Sequence, residues 1–482
     1  MFSAMFLIAA SPIILLIVLL LLARWPLVKA APLTFVFAAG LAAIKLDLPA
    51  SHLVAAIAKG LLLSLDVMLI VFGAVFFLND LRGRGVVLAM QEQLAALTAD
   101  RHLQALLLAW LFGGFIEGVS GFGTPAVIVA PLLVGIGFQP LTAILVSLLA
   151  NSTAVAFGAV GTPVRIGFAG LDITGVAERA ALINLFAGLL VPLMIVYMVG
   201  GWSSLKRYFF WAIFAGLAFL VPYVGFAFLG YEFPSIFGGA LGLAAMVATL
   251  RFRAIQPVHL GELARPFAAY ALLLALLLLG KLVFSAVQYR LELGGNLSHT
   301  IQFFNPGFAF LTVIALLALY HRTPFTALVT LARTTAAPLG KTALSLVSIG
   351  SLTYLMIVSG MTTSLAQAVV TPALPYYSAI IGAFGSFLAG SATVSNLLFA
   401  QMQLSAAETL SLAAPLILAL QLVGAGAGNM IALPNILAVQ ASVGEDGQEA
   451  LILRRLILPC ALYLLAVALV VHFTASGYRP QM

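Results

Sequence analysis

Charge is scarce in this sequence: 482 residues carry only 22 Lys plus Arg and 15 Asp plus Glu, so 8% of residues are charged while 63% are hydrophobic. Soluble domains average about 25% charged residues, and so small a polar complement cannot cover a water-soluble globule. Cysteine is almost absent. The single Cys460 excludes an intrachain disulfide and, in the last apolar run at 456–471, suits a packed core residue. Neither an HExxH run, a CxxC pair, a Walker A loop nor a dinucleotide fingerprint after a strand occurs. The histidines, His52, His102, His259, His299, His321 and His472, lie near the ends of apolar runs without short-range metal-ligand spacing. A metal cofactor is therefore not expected, nor is any other cofactor. The formal charge of +7 comes from small Lys and Arg groups between apolar stretches. That pattern fits anchoring of cytoplasmic loops rather than nucleic-acid binding, for which no basic domain or arm is present.

What remains is an all-α polytopic membrane protein, in which the length accommodates about 11–14 transmembrane segments at about 20 residues per crossing. The apolar run 7–22 lacks a basic segment before it and is followed by Arg24 and Lys29. It reads as a retained first span with an outside N-terminus, not as a secretory signal. Further ordinary spans are expected at 31–44, 61–78, 103–117, 181–199, 209–228, 236–250, 267–287, 308–319 and 456–471. Lys206-Arg207, Arg251-Phe252-Arg253 with Glu262 and Arg265, Arg290 with Glu292, and His321-Arg322 fall between them. The polar stretch 288–302 is expected to be a long connection dividing an N-terminal half, 1–288, from a C-terminal half, 303–482.

Two stretches read differently. Residues 118–164 carry no charge, yet contain many glycines, the breaks Thr124-Pro125, Gln139-Pro140 and Thr162-Pro163, and the polar run Asn151-Ser152-Thr153. Residues 342–407 are likewise uncharged, with Gly382-Ala383-Phe384-Gly385 and Gly390-Ser391-Ala392-Thr393-Val394-Ser395-Asn396 inside, and Gly424 to Asn429 beyond. A continuous lipid-facing helix would not be punctuated so, because backbone groups freed at membrane depth must be satisfied by protein or water. Broken helices or re-entrant hairpins around a binding cavity, at about 112–165 and 382–436, are the better reading. Gly118 falls on Gly390 at an offset of 272 and Pro163 on Pro434 at 271, a weak internal symmetry of the kind found at transporter repeat interfaces.

The candidate site residues follow from these blocks. Asn151, Ser152 and Thr153 bring neutral donors and acceptors into an apolar region, followed by Gly161 and Thr162. Glycines let backbone approach a ligand, and a half-helix starting nearby would aim N–H groups at an anion. Close helix packing is the alternative use of small and hydroxyl residues. Ser391, Thr393, Ser395 and Asn396 form the partner set, with Gly428 and Asn429 behind them. Glu117 is a lone acid in this apolar setting, and desolvation favours its uncharged form. It is a candidate proton carrier, or else a buried acid held by backbone N–H groups or by Arg165. Arg165 is a candidate for bidentate pairing with a substrate carboxylate, or an interfacial anchor. Asp66, seven residues after Lys59 and so on the same face of a helix, is a candidate for ion coupling or a buried structural acid.

Glu117-Gly118-Val119-Ser120-Gly121-Phe122-Gly123-Thr124-Pro125, Leu132-Leu133-Val134-Gly135-Ile136-Gly137-Phe138, Ala150-Asn151-Ser152-Thr153 and Phe157-Gly158-Ala159-Val160-Gly161-Thr162-Pro163 closely resemble the lactate permease family. Gly390 to Asn396, Gly428-Asn429-Met430-Ile431 and Arg24-Trp25-Pro26 fit it too, so the resemblance covers nearly the whole chain. It implies a secondary active transporter of the bacterial cytoplasmic membrane, not an enzyme. The implied cargo is L-lactate, often with D-lactate and glycolate, and the implied coupling ion is the proton, with sodium coupling or a broader small organic anion as the alternative. The wider ion-transporter superfamily implies two inverted repeats with paired hairpins, Asn151, Ser152 and Thr153 touching substrate from one and Ser395 and Asn396 from the other. Some family members carry an aspartate at the place of Ala392 and a lysine at that of Asn429. This sequence has neither charge, so substrate charge would be met by backbone dipoles or Arg165.

Overall fold

Apolar chain in a bilayer has to satisfy its backbone internally, and this chain does so mostly as helices. The computed structural model describes residues 4–121, 123–251, 265–294 and 297–475. Phe122 of the first Gly-rich motif, Arg253, His259 and Glu262 of the expected charged loop, and Gly295 and Asn296 of the central connection lie outside the described residues. Among the described residues nine helices are long and apolar enough to cross a membrane, or up to ten with the bent pair Pro140–Ala150 and Thr153–Arg165 taken as one span. That pair meets at 43°, and five shorter apolar helices of 10–17 residues accompany the long ones.

The helices form two compact units, one from Met1–Leu88 and Ala264–Val369, the other from Ala89–Leu263 and Val370–Met482. Each unit therefore draws on chain from both sides of the central connection.

In the first unit two 34-residue helices, Ala50–Gly83 and Phe325–Val358, lie side by side. Asn79 Nδ2 donates to Thr335 Oγ1 at 3.1 Å. Arg84 donates to both oxygens of Asp80, at 2.8 and 3.0 Å, and to Thr323 Oγ1 at 3.1 Å. The central connection, expected as a long polar stretch of an all-α chain, contains strands. Gln288–Gly294 and Leu297–Gln302 pair as an antiparallel β-hairpin, with Leu291 opposite His299. Tyr289 and Leu291 alternating with polar neighbours give this stretch the period of a strand, which its charges obscured. The hairpin docks on helix Ala50–Gly83: Lys59 Nζ donates to the Ser298 carbonyl and lies 5.3 Å from the centre of the Tyr354 ring. His299 Nε2 is 3.4 Å from Asp66 Oδ2, and Asn305 Nδ2 donates to the Asp66 carbonyl at 3.3 Å.

The second unit is built around helix Arg101–Ser120, whose most apolar 18-residue window is 94% buried by protein, so it is a core helix and not a lipid-facing one. Asp100 caps it by accepting from the N–H groups of His102 and Leu103, at 2.9 and 3.3 Å, a use of orphan helix donors that favours Asp at this place. Two segments of this unit share an order of elements. The first runs through Arg101–Ser120, a break, Thr124–Gly135, Pro140–Ala150, a second break and a turn ending at Arg165. The second runs through Leu374–Ala389, a break, Ala392–Thr409, Ala414–Gly428, a tight turn Asn429–Ile431 and Leu433–Val443. Pro125, Pro140, Pro375, Pro415 and Pro434 each stand in the first turn of a helix, where proline's fixed φ is already helical and its missing N–H costs nothing.

Candidate functional site

Both segments break where glycine permits a backbone turn that other residues resist. Gly123 (φ 73°) precedes helix Thr124–Gly135 and Gly390 (φ 68°) precedes helix Ala392–Thr409, both in the left-handed region open to glycine. Each helix then begins with N–H groups lacking an intrahelical acceptor. Ser391 takes one, its Oγ accepting from the Val394 N–H at 3.4 Å, the Gly121 carbonyl takes that of Thr124 at 3.1 Å, and Pro125 has none; the rest carry the positive end of the helix dipole. Between these two starts lies a small cavity of about 20 Å³, the room of about one water. Glu117, Gly121, Gly123, Val155, Gly158, Ala159, Thr162 and Pro163 line it from the first segment, and Gly390, Ser391, Ala392, Thr393 and Asn429 from the second. Helix starts facing a cavity favour an anion there, and a lactate-sized one enters only when this cavity is wider.

The break in the first segment is strained. Ala159 (φ 44°) and Val160 (φ 53°) occupy the left-handed region beside Gly161 (φ 75°), an outlier for a β-branched side chain and a cost of about 1–3 kcal/mol per residue. Hydrogen bonds from Thr162 Oγ1 to the Ala159 carbonyl and from Ser235 Oγ to the Ala154 carbonyl, both 2.6 Å, hold it. Strain retained this way brings the Gly158 backbone against Glu117: a Cβ on Gly158 would lie 3.2 Å from the Glu117 Cδ. Glu117 is 2% exposed. It shares a side-chain hydrogen bond with Asn151, while Glu117 Oε2 and Asn151 Oδ1 have no hydrogen-bond partner. The bond therefore runs from Asn151 Nδ2 to Glu117 Oε1, leaving Oε2 unpaired at a residue that lines the cavity.

Of the residues singled out from sequence, Glu117, Thr162, Ser391, Thr393 and Asn429 line the cavity, and Asn151 reaches it through Glu117. The others lie elsewhere. Ser152 Oγ donates to the Leu149 carbonyl at 2.8 Å. Thr153 belongs to a closed ring: its Oγ1 is 3.1 Å from Tyr463 Oη, which donates to Asn184 Oδ1 at 2.7 Å. Asn184 Nδ2 donates to Tyr223 Oη at 2.8 Å, and that hydroxyl donates to the Thr153 carbonyl at 3.2 Å. Ser395 Oγ donates to the Gly382 carbonyl at 2.7 Å and Asn396 Nδ2 to the Pro163 carbonyl at 3.0 Å, and Gln421 Nε2 donates to both side chains at 3.1 Å. They tie the second segment to the strained break without lining the cavity. Gly161 packs against Tyr231 and Gly428 against Ala383. Arg165 is buried in a hydrogen bond with the Tyr231 side chain. Asp66 belongs to the first unit, facing His299.

Sequence reasoning passed over Gln421 and Gln403, which donates to Gln421 Oε1. It also passed over Asn435, whose Nδ2 donates to Asn429 Oδ1 at 2.8 Å and to the Asn429 carbonyl at 3.1 Å. The position of Asn435 directly after Pro434, where the second block closes, was the available signal.

The sequence profile of the L-lactate permease family matches residues 5–265 and 274–476. The chain belongs to that family. It is a membrane transporter of the bacterial cytoplasmic membrane and not an enzyme; among the described residues no group of three or more His, Cys, Asp and Glu side chains is placed to hold a metal. A Haemophilus influenzae protein assigned as an L-lactate permease is 30% identical over 467 residues, covering 83% of this chain and 85% of its own. The L-lactate permease of Salmonella typhimurium is 27% identical over 505 residues, covering 92% and 91%. Among solved structures, the YdaH transporter of Alcanivorax borkumensis aligns over 88% of this chain and 87% of its own with 13% identity and a TM-score of 0.42. In this permease the family motifs quoted from sequence supply the Gly-rich tip at Gly121 and Gly123 and the strained break at 157–161.

Proposed function

We propose that this permease is a secondary active symporter importing L-lactate and related small 2-hydroxymonocarboxylates, D-lactate and glycolate among them, with protons. The observation that carries the reading is the position of Glu117: a buried acid with an unpaired Oε2 lines the same cavity into which two helix N-termini open. The helix N–H groups take the substrate carboxylate, and Asn429, Thr393 and Thr162 are within the same lining to meet the 2-hydroxyl. Two carboxylates cannot both stay charged in a confined, poorly solvated cavity. A proton on Glu117 removes that repulsion, so anion and proton occupy the site as a neutral pair able to cross the apolar barrier. Glu117 is assigned the coupling role in preference to Asp66, which already faces His299. Arg165 and Asn396 are assigned to holding the break, through Tyr231 and the Pro163 carbonyl. The name of the relatives, L-lactate permease, supports the choice of cargo.

We infer further that the two segments of like element order are an inverted repeat pair, at about 112–165 and 382–436 within halves 1–288 and 303–482. On this reading the broken helices bring the crossings to about 11–14.

In proteoliposomes, uptake of labelled lactate is expected to rise with an inward proton gradient; uptake that needs sodium and ignores pH would refute the coupling. Glu117→Gln is expected to abolish gradient-driven accumulation, and unchanged accumulation removes Glu117 from the mechanism. Competition by glycolate but little by acetate or a dicarboxylate is the expected mark of a site that reads the hydroxyl.

A further inference from the structure

We propose that Asn435 is a positioning residue that holds Asn429 as a donor-only group at the cavity and thereby makes the site select a carboxylate over its neutral amide. The argument begins with a fixed acceptor. The Asn435 side-chain nitrogen lies 3.1 Å from the main-chain carbonyl of Asn429, and a main-chain carbonyl can only accept. The end of Asn435 facing it is therefore its NH₂. The same NH₂ is 2.8 Å from the side chain of Asn429, so the atom it meets there has to be oxygen, because two NH₂ groups repel. The amide orientation of Asn429, ambiguous from shape alone, is thus set by a chain of two contacts.

Asn429 is 3% exposed and lines the cavity. With its oxygen turned to Asn435, the end of its amide left to a ligand is the NH₂, with two N–H donors. Asn435 lies beside the two glycine tips: a Cβ on Gly123 would lie 3.3 Å from Asn435 Oδ1, and one on Gly390 would lie 3.4 Å from it. The N–H groups of both helix starts and the Asn429 amide therefore present donors to the same cavity. A carboxylate oxygen satisfies donors from every side. The NH₂ of lactamide, a donor itself, finds no acceptor at the Asn429 amide nitrogen or at the helix-start N–H groups.

This inference rests on the carboxylate-transport reading of the cavity, and the experiment separates the two. Initial rates of labelled lactate uptake are measured in proteoliposomes for the full-length wild type, Asn435→Ala, Asn429→Ala and the double variant, with lactamide as competitor. Asn435→Ala is expected to raise the lactate KM about tenfold, the scale of one misdirected hydrogen bond to a charged group, with kcat within about twofold. Lactamide, a poor competitor in the wild type, is expected to compete several-fold better in Asn435→Ala. In the Asn429→Ala background the second substitution is expected to change KM less than about twofold, since Asn435 then has nothing to orient. Additive losses in the double variant, or an unchanged lactate-to-lactamide preference in Asn435→Ala, overturn the positioning role while leaving transport intact. A wild type that takes up no lactate overturns the transport reading and this inference with it. If Asn435→Ala is not recovered from membranes, Asn435→Ser, whose single hydroxyl hydrogen cannot serve both oxygens, carries the same comparison with the same expected shifts.

Discussion

Gly158→Ala probes whether the Glu117 carboxyl depends on a bare backbone beside it. The conformation at Gly158 (φ −66°, ψ 159°) suits any residue, so the substitution adds no dihedral strain. Its methyl carbon would lie 3.2 Å from Cδ and 3.4 Å from Cγ of Glu117, and closer still to Oε1. With Glu117 only 2% exposed, the carboxyl has no route to solvent. It moves into the cavity, or the strained backbone at 159–161 moves instead. Crowding of this kind costs about 1–3 kcal/mol, which corresponds to about 5- to 150-fold in any transport step that needs the carboxyl where it is. The assay is the initial rate of proton-driven lactate uptake at matched protein levels, read beside the thermal midpoint of the purified protein. Gly40→Ala is the control: Gly40 lies inside helix Leu27–Lys45, and a Cβ there meets nothing within 4 Å. It is expected to leave uptake unchanged and to add about 0.5–1 kcal/mol of stability through helix propensity. Wild-type uptake and midpoint in Gly158→Ala would refute the packing argument and the dependence of transport on this carboxyl position.

Gln421→Leu removes the donor shared by Ser395 and Asn396 and the acceptor of Gln403, all buried; unpaired buried groups cost about 1–3 kcal/mol each, so its thermal midpoint is expected to fall well below that of the wild type. Ala392→Asp places a carboxylate at the first turn of a helix that lines the cavity, where it takes the N–H groups meant for substrate. Lactate uptake is expected to drop at least about tenfold, a loss of ~1.4 kcal/mol or more, and adding Asn429→Lys in the same cavity is expected to restore part of it; an unaffected Ala392→Asp rate would show that substrate does not use that helix start.

The parts of this protein legible from sequence were those where a residue type contradicts its surroundings. Glu117 stands as an acid in an apolar, Gly-rich run, and it lines the cavity. Gly121, Gly123 and Gly390 punctuate runs that would otherwise be unbroken helix, and the breaks fall there. Side-chain partnership across the chain was not legible. Asn396 and Ser395 have the composition of ligand contacts, yet Gln421 and the Pro163 carbonyl already satisfy them; nothing local to 391–396 announces a glutamine 25 residues on. For Arg165 the sequence leaves open carboxylate pairing and an interfacial anchor, because its phenolic partner, Tyr231, lies beyond an intervening helix pair in sequence. The hairpin at Gln288–Gly294 and Leu297–Gln302 was written in period-two alternation, which the reading of 288–302 as a long polar connection passed over.

These side chains are engaged for a reason that also bears on the site. A membrane-embedded cavity has too few polar residues to leave any idle, because each unsatisfied one is costly in the apolar interior. Most polar side chains near the breaks therefore serve to hold irregular backbone: Ser235 on the Ala154 carbonyl, Thr162 on Ala159, Asn396 on Pro163. On the proposed reading, what is left for cargo among the described lining residues is backbone N–H at two helix starts, the Thr393 hydroxyl, an amide turned one way by Asn435, and a single acid. On that reading the remainder is sufficient. Helix-end dipoles supply positive potential without introducing a fixed cation, so the only full charges in the cavity are those of the carboxylate cargo and of Glu117. One proton then cancels one of them, and the absence of charge at Ala392 and Asn429 leaves the proton on Glu117 as the term that decides whether the loaded site is near-neutral enough to move.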